Sequence, residues 1–279
     1  MTAVPATPIS EQRLSQVLQR NRQAGRKNLV TFITAGYPSL AQTEQLMHAL
    51  VSAGVDVIEL GVPFSDPMAD GPVIQRASEC AVAQGVGLRD VLALVAQFRR
   101  SNSHTPVVLM GYANPVERIG QEAFIAEAVQ AGVDGALIVD YPPEESEAFA
   151  QTARAAGLNI IYLVAPTTTG ARMQATARLA SGFIYYVSLK GVTGAASLDV
   201  ADVQAKVTRL RQFTDLPINV GFGISDASSA RAVAQIADGV VIGSKLIQLV
   251  ESAQAQGQDA CGVVGDWVKD IRKALDAVK

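Results

Sequence analysis

The sequence predicts an α/β fold, a single (β/α)8 TIM barrel with an extra N-terminal helix. A unit in which a helix ends near a glycine and a short apolar strand follows recurs at 53–60, 131–140, 155–164, 179–187 and 235–243. Further apolar strands are predicted at 29–34, 106–110 and 217–220. Strands that are apolar on both faces and are separated by helices are typical of a parallel sheet whose faces are both covered. Eight evenly spaced units in 279 residues favour a closed barrel over an open doubly wound sheet.

The two ends of the chain complete the predicted barrel. Residues 1–8 form a loose tail of Pro, Ala and Thr, and Ser10 is a good N-cap for a helix to about Ala24. One face of that helix carries Leu14, Val17 and Leu18. A last helix from about Gly265 to Ala277 would close the outer ring. Because no linker or shift in composition interrupts the pattern, residues 1–279 are predicted to be one domain.

Charge and cysteine content narrow the class of protein. With 23 basic and 26 acidic residues and no basic block, the sequence argues against nucleic acid or an anionic membrane as a partner. Cys80 and Cys261 match no metal-binding or CxxC spacing, which suits a reducing compartment. The N-terminus lacks the pattern of a signal peptide, and no apolar run reaches the roughly 18 residues of a membrane helix. We therefore expect a cytoplasmic protein.

The stretch from Val57 to Gln75 is the most unusual part of the sequence. Glu59 interrupts an apolar strand, and a segment broken by glycines and prolines follows, with Asp66 and Asp70 inside it. A buried carboxylate loses its hydration, so such an acid is either paired structurally or has a raised pKa that lets it exchange protons near neutral pH. In a barrel the loops after the strands form the active face, where these acids would lie.

Three later loops point to a phosphate site. Glycines in the loops after the last three predicted strands let backbone N–H groups approach a ligand: Gly191, Gly194, Gly221, Gly223 and Gly243. Ser225 or Asp226, and Ser244, stand where helices begin, at the positive end of the helix dipole. The alternative is that these glycines only permit tight turns. Because barrels usually hold a phosphate after their seventh and eighth strands, the three loops together favour a phosphate site.

Apolar side chains lie on the active face of the predicted barrel, at its mouth, on the side opposite the phosphate loops. They lie on or near strand ends, and several could equally be barrel core: Phe32, Ile74, Met110, Tyr112, Leu137, Tyr185 and Phe222. If they converge, they form a slot for an aromatic ring between the acids and the phosphate loops.

Other chemistries have weaker support. The two histidines, His48 and His104, lie away from the active face, so neither a metal site nor a Ser/His or Cys/His nucleophile is predicted. Lys190 follows a predicted strand, so a Schiff-base aldolase or another phosphosugar barrel enzyme stays open as an alternative. A non-catalytic barrel that only regulates a partner is a third alternative, which the two acids disfavour.

Six segments of the sequence carry a resemblance to a known family: FITAGYP (32–38), ELGVPFSDPMADGPVIQ (59–75), GYANP (111–115), GVTGAAS (191–197), GFGIS (221–225) and VIGS (241–244). Through them the sequence resembles the tryptophan synthase alpha chain family over nearly its whole length. The second is the most specific, because the fold alone would not require acids and prolines at those spacings. Leu189-Lys190 departs from some members, which carry an arginine in this loop.

The resemblance implies an activity and a set of roles. It implies cleavage of indole-3-glycerol phosphate to indole and glyceraldehyde 3-phosphate, with Glu59 and Asp70 as catalytic acids. It also implies an αββα tetramer with a tryptophan synthase beta chain, which alone would carry pyridoxal phosphate; a stand-alone lyase is the alternative. By the same resemblance, the phosphate cradle is Gly194, Gly223, Gly243 and Ser244, and the pocket includes Phe32, Tyr112, Leu137, Tyr185 and Phe222. Thr193 would lie in a mobile loop, and Pro63, Asp66 and Pro142 on the rim that faces the partner.

The chemistry of the two acids fits that activity. Cleavage at indole C3 needs a proton on C3 and then the loss of a hydroxyl proton, which a protonatable Glu59 on a rigid strand could supply and accept. Asp70, in a more polar loop, is expected to stay ionised and to accept the ring N–H.

Overall fold

One parallel sheet runs through the protein, whose computed structural model describes residues 12–188, 200–221 and 223–278. The strands of the described residues are β1 (Asn28–Thr34), β2 (Val57–Gly61), β3 (Val107–Gly111), β4 (Gly135–Ile138), β5 (Asn159–Ile160), β6 (Tyr162–Val164), β7 (Ile184–Val187), β8 (Ile218–Gly221) and β9 (Gly239–Ile242). They pair in the order β5-β4-β3-β2-β1-β9-β8-β7-β6. Because β5 and β6 are consecutive parts of one extended segment, the sheet is a nearly closed barrel, as predicted.

The predicted fifth strand is divided at Ile161, which the sequence did not show. The first half, β5, pairs with β4, and the second half, β6, pairs with β7. The Ile161 N–H still donates to the carbonyl of Ala136 (2.9 Å), so the backbone continues round the ring where the chain changes partner.

Helices of the described residues surround the sheet. They are α1 (Arg13–Gln23), α2 (Leu40–Ser52), α3 (Pro72–Ala83), α4 (Leu88–Arg99), α5 (Ala113–Ile119), α6 (Gln121–Ala131), α7 (Glu147–Ala156), α8 (Gly170–Leu179), α9 (Val200–Leu210), α10 (Ala227–Ala234), α11 (Ser244–Ala255) and α12 (Ala260–Asp276). No single helix in the described ranges has the length and apolar character to cross a bilayer; only α3 and α4 together pass that test, and they meet at 95°.

The helices at the two ends differ in how well the sequence places them. The extra helix α1 buries Leu14, Val17 and Leu18 as predicted, while Ser10 lies outside the described residues. The prediction that the last helix begins at about Gly265 was wrong, because α12 begins at Ala260. The Asp259 carboxylate accepts the N–H groups of Cys261 and Gly262 and so caps the helix five residues earlier.

Aspartates fix where three strands begin; Asp56 and Asp134 are buried, and Asp238 is half-buried. Asp56 accepts the N–H of Leu29 (2.9 Å), Asp134 that of Val107 (2.8 Å) and Asp238 that of Ile218 (2.8 Å). Arginines hold these carboxylates by ion pairs: Arg26 and Arg272 on Asp56, Arg13 and Arg99 on Asp134, and Arg211 on Asp238. This network at the N-terminal ends of the strands fixes their register, and with it the positions of the side chains at the opposite ends.

An apolar cluster occupies much of the barrel interior below its mouth. Leu14 and Leu18 of α1 join a buried cluster inside the sheet that includes Val30, Val57, Val108, Leu137, Ile161, Phe183, Tyr185 and Val241. A larger cluster lies between the sheet and the outer helices. Since side chains alternate along a strand, the residues two positions after the interior valines also face the interior, but nearer the C-terminal mouth of the barrel.

Candidate active site

Glu59 lies inside the barrel, at the mouth end of β2. It pairs with Phe32 of β1, and a Cβ on Gly61 would lie 2.6 Å from Cζ of Phe32, so alternate β2 side chains face the interior. Glu59 is fully buried, and neither carboxylate oxygen has a hydrogen-bond partner among the described residues. Burial, and secondarily the charge on Asp70, raises the pKa of Glu59 to about 8. Glu59 is therefore a protonated acid at neutral pH that loses its proton at little cost.

Asp70 lies in the loop between β2 and α3. The hydroxyl of Tyr112 donates to Oδ2 of Asp70 (3.1 Å), and the Ala69 N–H donates to the Tyr112 oxygen (3.1 Å). Burial raises the pKa of Asp70 to about 6, and the Tyr112 hydrogen bond opposes that rise. The loop is thus less polar around Asp70 than the sequence suggests, yet the carboxyl group is mostly ionised at pH 7.

The predicted apolar residues meet beside Asp70. Phe32, Ile74 and Tyr112 line one cavity with Asp70, together with Thr34, Gly61, Val62, Ser78, Met110 and Gly111. The cavity has a volume of about 10 Å³, which is room for about one water molecule and not for an aromatic ring. Larger clefts of about 200 and 620 Å³ lie beside α1 at the other end of the barrel, and neither is lined by Glu59 or Asp70.

Two other predicted pocket residues belong to the cluster inside the barrel. Leu137 is buried in the interior cluster and pairs across the sheet with Met110. Tyr185 lies over Gly221, since a Cβ there would be 2.6 Å from Cζ of the tyrosine. Burial, and next the charges of Glu59 and Asp70, raises the pKa of Tyr185 far above its usual value, so its ring faces the two acids as a neutral phenol. Phe222 lies outside the described residues.

Of the predicted phosphate loops, the structure describes the parts where α10 and α11 begin. Among the described residues no side chain caps α11, which begins at Ser244 after Gly243. Its first N–H groups, those of Ser244 and Lys245, can therefore face an anion, whereas the Leu246 N–H donates to the Gly243 carbonyl (2.8 Å). The start of α10 is occupied instead, because Asp226 accepts the N–H of Ser229. Gly223 has φ +77°, a left-handed conformation that favours glycine. Lys190, Gly191, Thr193 and Gly194 lie outside the described residues.

The predicted rim residues differ in exposure. Asp66 is exposed and Pro142 is half-buried, whereas Pro63 is buried within the chain itself. The sequence analysis did not single out Met68 as a rim residue, although it lies between Asp66 and Asp70 and is 77% exposed.

Sequence reasoning also missed two side chains that hold the Asp70 loop. Ser78 of α3 accepts the N–H of Phe64 and donates to its carbonyl oxygen, both at 2.9 Å. Gln75 donates to the carbonyl oxygen of Asp70 (2.8 Å). Their spacing after Pro72, where α3 begins, was the available signal, because polar side chains in the first turns of a helix can reach back to the preceding loop.

Metal ligands do not cluster in the described ranges: no group of three His, Cys, Asp or Glu side chains there could hold a metal ion. Cys80 and Cys261 are both free thiols. The mouth carries two carboxyl groups in unlike surroundings, one protonated and one ionised at neutral pH.

Comparisons with known proteins agree with this geometry. Residues 18–273 match the model of the family described as tryptophan synthase alpha chain. Tryptophan synthase alpha chains from Ralstonia nicotianae and Burkholderia multivorans are 59% and 56% identical over 95% of this chain, covering 99% and 97% of those proteins.

Solved structures give the same result. The alpha subunit from Legionella pneumophila str. Paris has a TM-score of 0.89 at 41% identity, covering 96% of this chain and 99% of that one. Tryptophan synthase from M. tuberculosis, in its aminoacrylate-bound form, has a TM-score of 0.84 at 32% identity, covering 95% and 99%. These matches support the alpha-subunit function over the other phosphosugar enzymes considered from the sequence. The fold, the paired acids and the similarity over nearly the full length together show that this chain belongs to the tryptophan synthase alpha chain family, lyases that cleave indole-3-glycerol phosphate.

Proposed function

We propose that Glu59 and Asp70 carry out the family's reaction here, the retro-aldol cleavage of indole-3-glycerol phosphate to indole and glyceraldehyde 3-phosphate. The observation that carries the proposal is Glu59 itself. A fully buried carboxyl group without a protein partner costs folding free energy, and that cost is explained if substrate supplies the missing partner.

The two acids act in sequence in this proposal. Protonated Glu59 gives its proton to C3 of the indole ring, and the positive charge that results is shared with the ring nitrogen. Ionised Asp70 accepts the N–H of that nitrogen and stabilises the charge. The Glu59 carboxylate then takes the proton of the side-chain hydroxyl. The C–C bond breaks, its electron pair returns to the ring, and indole and the aldehyde are released with Glu59 protonated again.

The remaining predicted residues bind the substrate. The indole ring lies among Phe32, Ile74, Tyr112, Leu137, Tyr185 and Phe222. Because the cavity beside Asp70 has a volume of about 10 Å³, the proposal requires side chains around it to move as substrate enters. The phosphate lies at the start of α11, on Gly243 and Ser244, with Gly223 beside it. Gly194, which lies outside the described residues, is assigned to the same cradle by the family resemblance. By the family resemblance, Thr193, which lies outside the described residues, would belong to the mobile loop.

A beta chain is the proposed partner. In support, the M. tuberculosis neighbour is a tryptophan synthase, and Asp66 and the strongly exposed Met68 lie on the loop that carries Asp70. We expect an αββα tetramer in which indole passes to the beta chain for tryptophan synthesis. Alpha chains of the family need no cofactor of their own, and pyridoxal phosphate is expected only in that partner. Pro142 would complete the rim, while buried Pro63 would shape it from within.

Two broader expectations accompany the proposal. A cytoplasmic location is supported by two thiols that form no disulfide. A single domain over residues 1–279 is supported by the one sheet that includes every strand of the described residues.

The experiment that tests the proposal is release of indole from indole-3-glycerol phosphate by the purified chain, with and without a purified beta chain. We expect slow release alone and a strong rise with the partner. No indole under either condition would refute the proposal. Borohydride trapping of substrate on the chain would instead indicate a Schiff base on Lys190.

A further inference from the structure

We propose that Tyr112 is a positioning residue for Asp70: its hydroxyl engages Oδ2 of the carboxylate and so leaves Oδ1 for the ring N–H of the substrate. The inference rests on the proposed function and deepens it. It assigns to Tyr112 a polar role in addition to the apolar one predicted from the sequence.

Tyr112 is held so that its hydroxyl has one orientation. The residue is the N-cap of α5 and is 3% exposed, and its ring stacks on Phe64 at 5.4 Å with an angle of 29° between planes. Its oxygen accepts the N–H of Ala69, so the hydroxyl proton is available for Asp70. Because accepting one hydrogen bond makes a hydroxyl a better donor, this chain of two bonds strengthens the contact with the carboxylate.

The Asp70 loop does not depend on Tyr112 alone. Ser78 binds both backbone groups of Phe64, and Gln75 binds the carbonyl oxygen of Asp70. Neither of them donates to the Asp70 side chain. The contribution peculiar to Tyr112 is therefore to the orientation and charge of the carboxylate rather than to the path of the backbone.

The electrostatic surroundings make that contribution matter. Glu59 of β2 and Tyr185 of β7 face Asp70, and Asp140 lies near Tyr112, where it accepts the N–H of Ala113 (2.7 Å). None of these groups is a cation. Within the described ranges, the Tyr112 hydroxyl is the side chain whose hydrogen bond lowers the pKa of Asp70 against the effect of burial.

The test is Tyr112→Phe, which keeps the ring and removes only the hydroxyl. Without that donor the pKa of Asp70 rises above about 6, so the acid limb of the pH profile of kcat/KM moves to higher pH. At pH 7 we expect kcat to fall about 10- to 100-fold, the usual result of removing a charge-assisted hydrogen bond, with a smaller change in KM. The pKa of the Asp70 carboxyl, followed by ¹³C NMR in the free chain, should rise as well.

The matched control is Ser78→Ala, which loosens the same loop without touching the carboxylate. We expect that variant to lower the rate while its acid limb stays at the wild-type pH. An unshifted acid limb in Tyr112→Phe, or an equal shift in both variants, would overturn the inference. Asp70→Asn separates the inference about Tyr112 from the proposed function. If Asp70→Asn keeps full activity, the proposed role of Asp70 is wrong. If Asp70→Asn is inactive but the acid limb of Tyr112→Phe stays at the wild-type pH, only the role of Tyr112 is refuted.

Discussion

Replacing Glu59 by glutamine should make the protein more stable at high pH while it removes the proposed catalytic acid. The wild-type side chain is fully buried without a hydrogen-bond partner among the described residues. Its pKa is about 8 in the folded protein, against a usual value of 4.5. Glutamine has nearly the same shape and is neutral at every pH, so the substitution removes only the penalty for the buried negative charge.

The sign and size of the effect follow from proton linkage. Between pH 4.5 and about 8 the folded state binds more protons at Glu59 than the unfolded state does, so the free energy of unfolding falls as pH rises. Each pH unit between the two values corresponds to about 1.36 kcal/mol, which gives a loss of about 5 kcal/mol by pH 9. That is a large part of the roughly 5–15 kcal/mol that stabilises a typical protein. Below pH 4.5 Glu59 contributes no such loss.

The assay is urea unfolding of the wild type and of Glu59→Gln from pH 5 to pH 9. The two should differ little at pH 5, and the variant should become the more stable of the two by several kcal/mol at pH 9. The control is Glu145→Gln, an exposed acid before α7, which should follow the wild type throughout. A Glu59→Gln protein that loses stability with pH as steeply as the wild type would refute the account of this carboxyl group.

Two further predictions concern the frame of the barrel and the anion site. Asp134→Asn should lower the free energy of unfolding by about 3–5 kcal/mol, because it leaves Arg13 and Arg99 without their buried partner. The control is the exposed ion pair of Asp266 and Lys269. Asp266→Asn should lower the free energy of unfolding by only about 0–1 kcal/mol. Thermal unfolding of both variants measures this, and equal losses would contradict it. Glycerol 3-phosphate should inhibit competitively with substrate in steady-state kinetics, because both phosphates would bind at the start of α11; noncompetitive inhibition would place the phosphate elsewhere.

The strands and the buried acid were predictable because their signals are local. Apolar runs after glycine-capped helices gave the strand positions to within one or two residues, and the chain of parallel pairs then required a barrel. Glu59 was recognisable because an ionisable residue inside an apolar strand has to be buried. Phe32, Ile74 and Tyr112 line one cavity in the structure because strand ends meet at one mouth.

The features that were not predictable depend on contacts between distant segments. The division of the fifth strand at Ile161 arises because its two halves pair with different neighbours, which no pattern within residues 155–164 reveals. The depth of burial of Asp70, and the hydrogen bond from Tyr112 that opposes it, join residues 42 positions apart. The small volume of the cavity likewise depends on side-chain packing across several elements.

The most direct test of the central claim is the rate of indole release by Glu59→Gln, measured in the presence of a beta chain. If a buried carboxyl group at the mouth of the barrel supplies and recovers the proton, glutamine in the same place should preserve the fold, as judged by circular dichroism, and reduce kcat by about 10³-fold or more. Turnover near the wild-type rate in that variant would contradict the claim.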